Sequence, residues 1–476
     1  MIHTVCFETE KLNTTRKGKK SMKMIYGVKD KPGFGKVIVF AFQQLLAILA
    51  ATIAVPTIVG NGMSQSAALF GAGVGTIVYL LFTKFRSPVF LGSSFAFIGS
   101  MLAAFGGAVS MEAGYVGLIL GAAFAGLVYV IIAIIVKLAG VGWVNKLMPA
   151  VVIGPTVSII GLSLAGNAIS DLTKGKVLDA EGVSTANPLI ALVCGLVTLF
   201  TVVICSVYGK KMVKLIPFII GILAGYAVAA IFTVIGIKTG NTALQIIDFA
   251  VFKNMSIFAV PDFSFITAAD GIKAIDGNYI ATVAVAYVPV AFVVFAEHIA
   301  DHKNLSSVIG QDLLEEPGLH RTLLGDGVGS IVGAIFGGCP NTTYGESVGC
   351  VAITGNASVV TILATAIMSI VIAFFGPFVT FLATIPNCVM GGVCVTLYGF
   401  IAVSGLKMIQ DVDLNDNKNL FVVAIILICG IGGLTVSFGK ITITAIACAL
   451  ILGIIANVVL SGKNNNAVEN SEETAE

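Results

Sequence analysis

The sequence predicts an all-α polytopic membrane protein with fourteen transmembrane segments, arranged as two inverted seven-span repeats. Of its 476 residues, 57% are hydrophobic and only 11% are charged, whereas a soluble domain carries about a quarter charged residues. Apolar runs follow one another from Lys36 to Leu460, each near the roughly 20 residues that cross a bilayer as a helix. A soluble fold would leave too little polar surface to face water.

The candidate spans follow one another along the chain, and the third and the tenth are poor helices. Gly, Ser, Pro or Thr interrupts both, and Gly and Pro in particular are unfavourable in helix interiors. The fourteen spans are 37–60, 65–83, 88–107, 115–136, 147–167, 187–208, 215–237, 279–300, 322–338, 340–355, 357–375, 378–404, 419–438 and 441–460.

The placement of basic residues predicts which ends of the spans face the cytoplasm. The first 36 residues hold nine Lys and Arg residues, and cytoplasmic loops are enriched in both. An even number of spans returns the C-terminal tail, 461–476, to the same side, so we predict a multi-pass protein of the cell membrane (inner or plasma) with cytoplasmic termini. The loops that this count assigns to the cytoplasm all carry basic residues, namely Lys84, Arg86, Lys137, Lys146, Lys210, Lys211, Lys214, Lys303, Arg321, Lys407 and Lys418.

The two halves of the chain echo each other. Seven spans precede the long outer loop and seven follow it, so the halves must have opposite orientations, as in membrane proteins built from inverted repeats. The weak third and tenth spans occupy equivalent places in the two repeats. A break in a span exposes backbone N–H and C=O groups that lipid cannot satisfy. The matched breaks therefore predict a ligand site near the bilayer midplane.

Each interrupted span should contain a short extended stretch that leads into a half-helix. The third span reads LGSSFAFI over Leu91–Ile98, and the tenth reads CPNTTYGESVG over Cys339–Gly349. The first N–H groups of a half-helix have no acceptor within the helix and carry the positive end of its dipole. The alternative is a tight, glycine-rich packing corner without a ligand. Glu346 lies inside the second break, and an ionisable residue at membrane depth favours a functional site.

Four ionisable residues cluster at the end of the eighth span. Glu297 and Asp301 stand one helical turn apart on one face, as do His298 and His302. Hydropathy leaves two positions open for this cluster. It belongs either to a site at membrane depth or to the cytoplasmic interface, where charged residues are ordinary.

Two further polar residues lie within apolar runs. Asp326 is five residues into the ninth span, and it forms either a structural pair with a neighbour or part of a proton-coupling network. Tyr398 lies in the twelfth span, where it is either an interfacial anchor or a site residue.

On these residues the sequence resembles the nucleobase–ascorbate (nucleobase:cation symporter) transporter family, and within it the bacterial uracil carriers. Glu346–Gly349, followed by Thr354, is similar to the family signature of Glu or Gln, Asn, any residue, Gly, four residues and Thr. The stretch Pro340–Glu346 is similar to the form found in uracil carriers. Further segments that resemble those carriers, in the same order, are Gly92–Ile98, Ala296–His298, Pro317–Arg321 and Gly391–Tyr398.

The resemblance implies a substrate site made of side chains and backbone. Glu297 and Glu346 match the two carboxylates that hold the base. Phe95 or Phe97, with the backbone at Tyr344 and Gly345, matches the crossed short strands, and Tyr398 matches a gate-side residue. Two positions depart from the family, since Ser347 replaces the signature Asn and Asp301 stands where a related uracil carrier has His.

The resemblance also implies two domains that together form a homodimer through the gate. The core domain would comprise 37–138 (spans 1–4) and 278–375 (spans 8–11). The gate domain would comprise 139–240 (spans 5–7) and 376–460 (spans 12–14). The loop 241–277 would be extracellular, and the tails 1–36 and 461–476 cytoplasmic.

The function that this resemblance implies is uracil import by proton symport through alternating access of the core against the gate. Glu297, His298, Asp301 and Asp326 are the expected proton-coupling residues. Xanthine, urate or another nucleobase on the same machinery is the main alternative, and sodium remains an alternative coupling ion. An anion exchanger or channel fits less well, because Glu346 in the break would repel anions.

Other function classes find no support in the sequence. It contains no HExxH, GxSxG, paired-Cys or phosphate-loop pattern, so we expect no enzyme, no cofactor and no metal site. A net charge of +2 gives no indication of a nucleic-acid partner. The expected partners are uracil or a related nucleobase, protons, membrane lipid and a second copy of the chain.

Overall fold

Helices in this chain follow the apolar runs, and breaks follow the residues that interrupt them. The computed structural model describes residues 24–140, 143, 149–179, 181–210, 212–438 and 441–472. Part of the predicted orientation depends on residues outside this range, namely 1–23, Lys146, Lys211 and 473–476.

The first half of the described chain is helical apart from one short strand. The Ser64 hydroxyl caps α2 by accepting the Ala67 N–H, and the Ser110 hydroxyl caps α4 by accepting the Ala113 N–H. Strand β1 is Leu91–Ser93, and the helices are α1 (Phe34–Val59), α2 (Gln65–Phe82), α3 (Ile98–Gly106), α4 (Met111–Ala139), α5 (Ala150–Ser163), α6 (Ala165–Asp171), α7 (Pro188–Tyr208), α8 (Met212–Leu215) and α9 (Pro217–Thr239).

The second half begins with a short helix in the long loop 241–277 and continues in the same manner. Asp276 caps α11 by accepting the Tyr279 N–H at 2.7 Å. The helices are α10 (Ser264–Gly271), α11 (Gly277–Ile309), α12 (Leu319–Gly337), α13 (Gly345–Thr354), α14 (Val359–Ile372), α15 (Gly376–Thr384), α16 (Asn387–Met408), α17 (Asn417–Ile431) and α18 (Ala445–Glu472). The strands are β2 (Asn341–Thr343), β3 (Val436–Phe438) and β4 (Ile441–Ile443).

Among the described residues, 8 helices are long and apolar enough to cross a membrane. They are α1, α2, α4, the α5–α6 pair, α7, α9, α11 and α16. Three shorter apolar helices accompany them, namely α14, α17 and the first part of α18. The prediction of a mostly helical, polytopic membrane protein is therefore confirmed.

Three predicted boundaries differ from the structure. The twelfth span, 378–404, is two helices, because Pro386 lacks an N–H and disfavours helical geometry in the residue before it. The eighth span is longer than predicted, since α11 continues to Ile309 and includes Asp301 and His302. The neighbouring ends of spans 13 and 14 form a hairpin in which Val436 pairs with Ile443.

The short strands and half-helices predicted for spans 3 and 10 are confirmed. β1 and β2 pair antiparallel, with Leu91 opposite Thr343 and Ser93 opposite Asn341, and both strands are buried. Helix α2 holds this pair, because the Thr76 hydroxyl accepts the Leu91 N–H at 2.9 Å. α3 and α13 then lead away from the strands as helices of 9 and 10 residues.

The helices pack in two sets. In one set, α12 packs against α2 and α4, and α11 packs against α4. In the other, α16 packs against α5 and α7, α9 packs against α7, and α17 packs against α5. Glycine permits the closest approach in the first set, since a Cβ at Gly71 would lie 2.5 Å from the Gly333 carbonyl oxygen. Such small-residue contacts are typical of membrane helices.

Candidate functional site

The strand pair directs the start of α13 towards a cavity between the two helix sets. Tyr344 is the N-cap residue, and Gly345 and Glu346 form the first turn. The N–H groups at this end have no acceptor within the helix. The first turn therefore offers backbone donors beside a carboxylate.

A cavity of about 350 Å³ separates a polar wall from an apolar wall, a volume in the lower range of small-molecule sites. The polar wall comes from α11 and α13, through Glu297, Asp301, Gly345 and Glu346. The facing wall comes from α5, α9 and α16, and its residues are Val157, Phe218, Leu397, Phe400, Ile401, Ser404 and Met408.

A smaller cavity of about 50 Å³ adjoins the first and reaches the strands. It shares Glu297 and Glu346 with the larger cavity and is otherwise lined by residues that include Phe95, Thr343 and Tyr344. The two carboxylates therefore stand where both cavities meet.

Asp301 is tied to strand β2. The Thr343 hydroxyl donates a hydrogen bond of 2.9 Å to Asp301 Oδ2. This bond joins α11 to the strand that leads into α13, so it fixes the spacing between the two parts of the polar wall.

Ser347 joins three elements just behind Glu346. Its hydroxyl oxygen accepts hydrogen bonds from Gln44 Nε2 at 2.5 Å and from the Phe90 N–H at 3.0 Å. Both Gln44 and Ser347 are buried. The residue that departs from the family signature thus connects α1, the entry to β1 and α13.

A second polar cluster lies behind the polar wall and is fully buried. His298 Nδ1 lies 2.7 Å from Asp326 Oδ2, and His298 Nε2 lies 3.0 Å from the Thr322 hydroxyl. The His302 ring stacks on the His298 ring with 4.0 Å between centroids, and its Nε2 lies 2.7 Å from the Tyr79 hydroxyl. These residues pair with one another and do not line the cavity.

Three of the four predicted aromatic residues, Phe95, Phe97 and Tyr398, occupy different positions. Phe95 lines the smaller cavity, whereas Phe97 is buried and stacks on Tyr287 at 5.4 Å between centroids. Tyr398 is 3% exposed and approaches the Phe95 ring edge-on at 6.1 Å.

The structure thus divides the predicted site residues into two groups. Phe95, Glu297, Asp301, Tyr344, Gly345 and Glu346 converge on the cavities, whereas Phe97, His298, Asp326 and Tyr398 stand behind their walls. Asp326 forms a buried pair with His298, which is compatible with both a structural role and a role in coupling. For Glu297, the structure gives a position on the cavity rather than at a helix end.

Sequence reasoning missed Gln44 and the role of Thr343. Gln43 and Gln44 are the two amide side chains in the first apolar run. A polar side chain within a span usually has a hydrogen-bond partner in the protein interior, and this was the available signal. The apolar wall gave no signal, because Val157, Phe218 and Phe400 look like any other lipid-facing or packing residues.

The arrangement suits a small ligand that is both a donor and an acceptor of hydrogen bonds. Carboxylates accept N–H groups in charge-assisted bonds, which are roughly twice as strong as neutral ones. The first N–H groups of α13 can donate to carbonyl oxygens. A flat apolar wall opposite them suits the face of a ring.

Comparison with protein families gives one extensive match. The model described as Permease family (Xan_ur_permease) matches residues 35–438. The uracil permease of Bacillus caldolyticus is 37% identical over 454 residues, which are 95% of this chain and 98% of that protein. The uracil permease of Escherichia coli is 33% identical over 430 residues, 90% of this chain and 92% of that protein. The putative pyrimidine permease RutG of Escherichia coli is 29% identical over 435 residues, 90% of each chain.

Solved structures with a similar fold include two transporters. The transmembrane domain of the cyanobacterial bicarbonate transporter BicA has a TM-score of 0.61 and 16% identity, over 90% of this chain and 100% of that one. The murine Slc26a9 anion transporter in the inward-facing state has a TM-score of 0.63 and 13% identity, over 92% of this chain and 69% of that one. At these identities the likeness concerns the fold alone.

Proposed function

This chain belongs to the Permease family, and on that basis we propose that it imports uracil across the cell membrane by symport with protons. The observation that carries the proposal is the polar wall of the cavity, where two glutamates flank the free N–H groups of a half-helix. The names of the full-length relatives, uracil permeases at 33–37% identity, identify the cargo.

The chemistry of uracil fits this wall. Its ring presents N–H donors and C=O acceptors alternately, so it needs acceptors for the former and donors for the latter. Glu297 and Glu346 supply carboxylates, and the backbone at Gly345 and Glu346 supplies N–H groups. The Phe95 ring and the apolar wall would hold the faces of the base.

We propose fourteen spans in two inverted repeats of seven. The eight long helices, the three shorter ones and α12 account for twelve spans. The strand and half-helix pairs β1–α3 and β2–α13 account for the other two. This topology leaves both tails, 1–36 and 461–476, in the cytoplasm and the loop 241–277 outside.

We further propose that the two helix sets are the moving parts. The core domain would be 37–138 with 278–375, and the gate domain 139–240 with 376–460, the latter also forming the homodimer. The packing of α12 on α2 and α4, and of α16 on α5 and α7, supports this division. All polar groups on the cavity except Ser404 belong to the core, so the base would travel with it along an apolar gate.

The cavity supports an inward-facing state for this conformation. It extends along α16 from Leu397 to Met408, the end that the proposed topology places in the cytoplasm. Uracil and a proton would enter the outward-facing state, and both would leave from the inward-facing state.

For the coupling, we propose that Glu297 and Asp301 accept the proton. Both lie on the cavity, and Glu346 is a third carboxylate beside them. Repulsion among three carboxylates at membrane depth would favour uptake of a proton before the core moves. The His298–Asp326 pair lies behind the wall, and His298 is next to Glu297 in the sequence. This pair would respond to protonation of Glu297.

The test is uptake of labelled uracil into proteoliposomes with an inward proton gradient. We expect the vesicles to accumulate labelled uracil. Unlabelled uracil should compete with this uptake, whereas xanthine and urate should not. A protonophore should abolish the accumulation. Glu297→Gln should lower uptake roughly tenfold or more, because a hydrogen bond to a charged group contributes about 1.5–3 kcal/mol. The exposed Glu315→Gln is the matched control and should transport normally.

Two results would redirect the proposal. Competition by xanthine or urate alone would move the cargo to the purines. Full gradient-driven accumulation by Glu297→Gln would remove this residue from the coupling. Anion transport, which the names of the solved relatives describe, fits less well because three carboxylates line the cavity.

A further inference from the structure

The residues before α1 form an N-terminal strap, residues 24–33, that lies along the loop 355–359. The Ile25 N–H donates to the Gly355 carbonyl at 2.7 Å, and the Ala357 N–H donates to the Tyr26 carbonyl at 2.9 Å. The Ser358 hydroxyl donates to the Asp30 carbonyl at 2.6 Å. The strap is thus attached to this loop along most of its length.

The loop under the strap ends the half-helix that carries Glu346. Gly355 is the C-cap of α13 with a φ of 65°, and a Cβ there would lie 3.3 Å from Ile25. At the other end of α13, Ser347 is bonded to Gln44 of α1. The strap and the helix that follows it therefore hold α13 at both ends.

A groove of about 690 Å³ lies between the strap and the first turns of α1. Its walls are mostly apolar and open, with Phe34 83% and Ile25 63% exposed. One charged side chain, that of Lys36, lines the groove. Its ammonium group donates to the Tyr26 hydroxyl at 3.0 Å and lies 5.7 Å from the centre of the Tyr26 ring. Two N–H groups of this ammonium remain for a ligand.

The sequence around the strap is strongly basic. From residue 11 to residue 36 the sequence has nine basic residues and one acidic residue, Asp30. The Asp30 carboxylate already accepts the Gly27 N–H at 2.7 Å. Lys29 and Lys31 are exposed on the strap itself.

We propose that this groove binds one anionic phospholipid. Lys36 would bind the phosphate, with Lys29 and Lys31 nearby, and the acyl chain would lie against Phe34, Val39 and Phe40. The groove is at the end of a membrane span, where basic side chains reach the headgroups while their stems stay in apolar surroundings. A soluble phosphate would leave the apolar walls uncovered, and so would a nucleic acid.

This lipid would also affect transport, a step that rests on the proposed function. A headgroup bound to the strap would stabilise its attachment to the loop after α13. The first turn of α13, with Glu346, would then be held more firmly in the geometry that binds the base. Anionic lipid should therefore raise the uptake rate.

Native mass spectrometry of the full chain in mild detergent tests the binding directly. With phosphatidylglycerol and phosphatidylcholine at equal concentration, we expect selective retention of phosphatidylglycerol. Lys36→Gln should weaken it about fivefold, the effect expected of one lysine near an anionic surface, and Lys36→Arg should preserve it. Lys407→Gln, another exposed lysine at the end of a long helix, is the matched control and should bind normally.

Several outcomes would overturn the proposal. They are equal retention of the two lipids, an unchanged affinity in Lys36→Gln, an equal loss in Lys407→Gln, and displacement of the lipid by soluble glycerol phosphate. Uptake into vesicles with and without phosphatidylglycerol is a separate measurement. If no variant carries uracil, the proposed function fails while the mass spectra still decide the lipid site.

Discussion

At the scale of single residues, Ser347 shows how a departure from a signature is accommodated. The family signature has Asn at this position, which brings both a donor and an acceptor. Here the hydroxyl accepts from Gln44 of α1 and from the Phe90 backbone. These bonds connect α1, the entry to β1 and the half-helix.

Ser347→Ala should therefore destabilise the protein and reduce uptake. The change leaves the Phe90 N–H and the Gln44 amide buried without partners, and each such group costs about 1–3 kcal/mol. Thermal unfolding in detergent, measured for Ser347→Ala, Gln44→Ala and the double variant, should show losses that are not additive, as expected for residues in contact. Ser206→Ala is the control, since that hydroxyl bonds only within its own helix. Additive losses would mean that the two residues act independently.

The four residues predicted for proton coupling lie on two different faces of the polar wall. Glu297 and Asp301 face the cavity, whereas His298 is turned towards Asp326 in the interior. One residue along a helix rotates the side chain by about 100°. Sequence spacing correctly placed Glu297 with Asp301, and it could not say which of the two faces met the cavity.

At the scale of elements, the strand pair is what positions the site. β1 and β2 have three residues each, too few to be stable alone, so they depend on the helices around them. Thr76 of α2 bonds the backbone of β1, and Asn341 of β2 donates to the Gly71 carbonyl at 3.0 Å. The site geometry therefore depends on the packing of α2 and α12.

Gly92→Ala should disrupt this element with little effect elsewhere. A Cβ on Gly92 would lie 2.2 Å from the Tyr344 ring, and this ring is buried with its hydroxyl bonded to the Ser93 carbonyl at 2.8 Å. Overpacking of this kind costs about 1–3 kcal/mol, and it would displace the N-cap of α13. We expect a large fall in uracil uptake and a lower unfolding temperature.

Gly99→Ala is the matched control for that experiment. It lies in the half-helix after β1, and a Cβ there would meet nothing within 4 Å. Alanine is about 1 kcal/mol more favourable than glycine in a helix interior, so stability should be equal or higher. Normal uptake by Gly92→Ala would contradict the role given to the strand pair.

At the scale of the whole molecule, the two walls of the cavity have different characters. All polar groups on the cavity except Ser404 lie on one side of it, and most of its apolar side chains lie on the other. A base bound by directional hydrogen bonds to one set can move past an apolar surface without breaking bonds to it. This asymmetry fits the proposed movement of the core domain against the gate domain.

Accessibility of Ser404→Cys tests the proposed orientation and state together. Ser404 is exposed on the apolar wall of the cavity, so a membrane-impermeant thiol reagent should label the variant in inside-out vesicles and not in right-side-out ones. Uracil should slow the reaction. Val109 is 80% exposed in the loop that the proposed topology places outside, so Val109→Cys should show the reverse preference. Labelling of Ser404→Cys from the outside alone would contradict the inward-facing state or the topology.

The sequence by itself determined the membrane fold, the breaks at spans 3 and 10 and the place of Glu346 inside the second break, because hydropathy, helix-breaking residues and charges within apolar runs are local signals. Pro386 is also a local signal of a helix break, although residues 378–404 were predicted as one continuous span. Only the tertiary structure decided that Thr343 bonds Asp301, that Gln44 bonds Ser347, and that His298 and Asp326 pair away from the cavity. These contacts join residues from 28 to 303 positions apart. No local pattern encodes such a contact, because it exists only once the helices have packed.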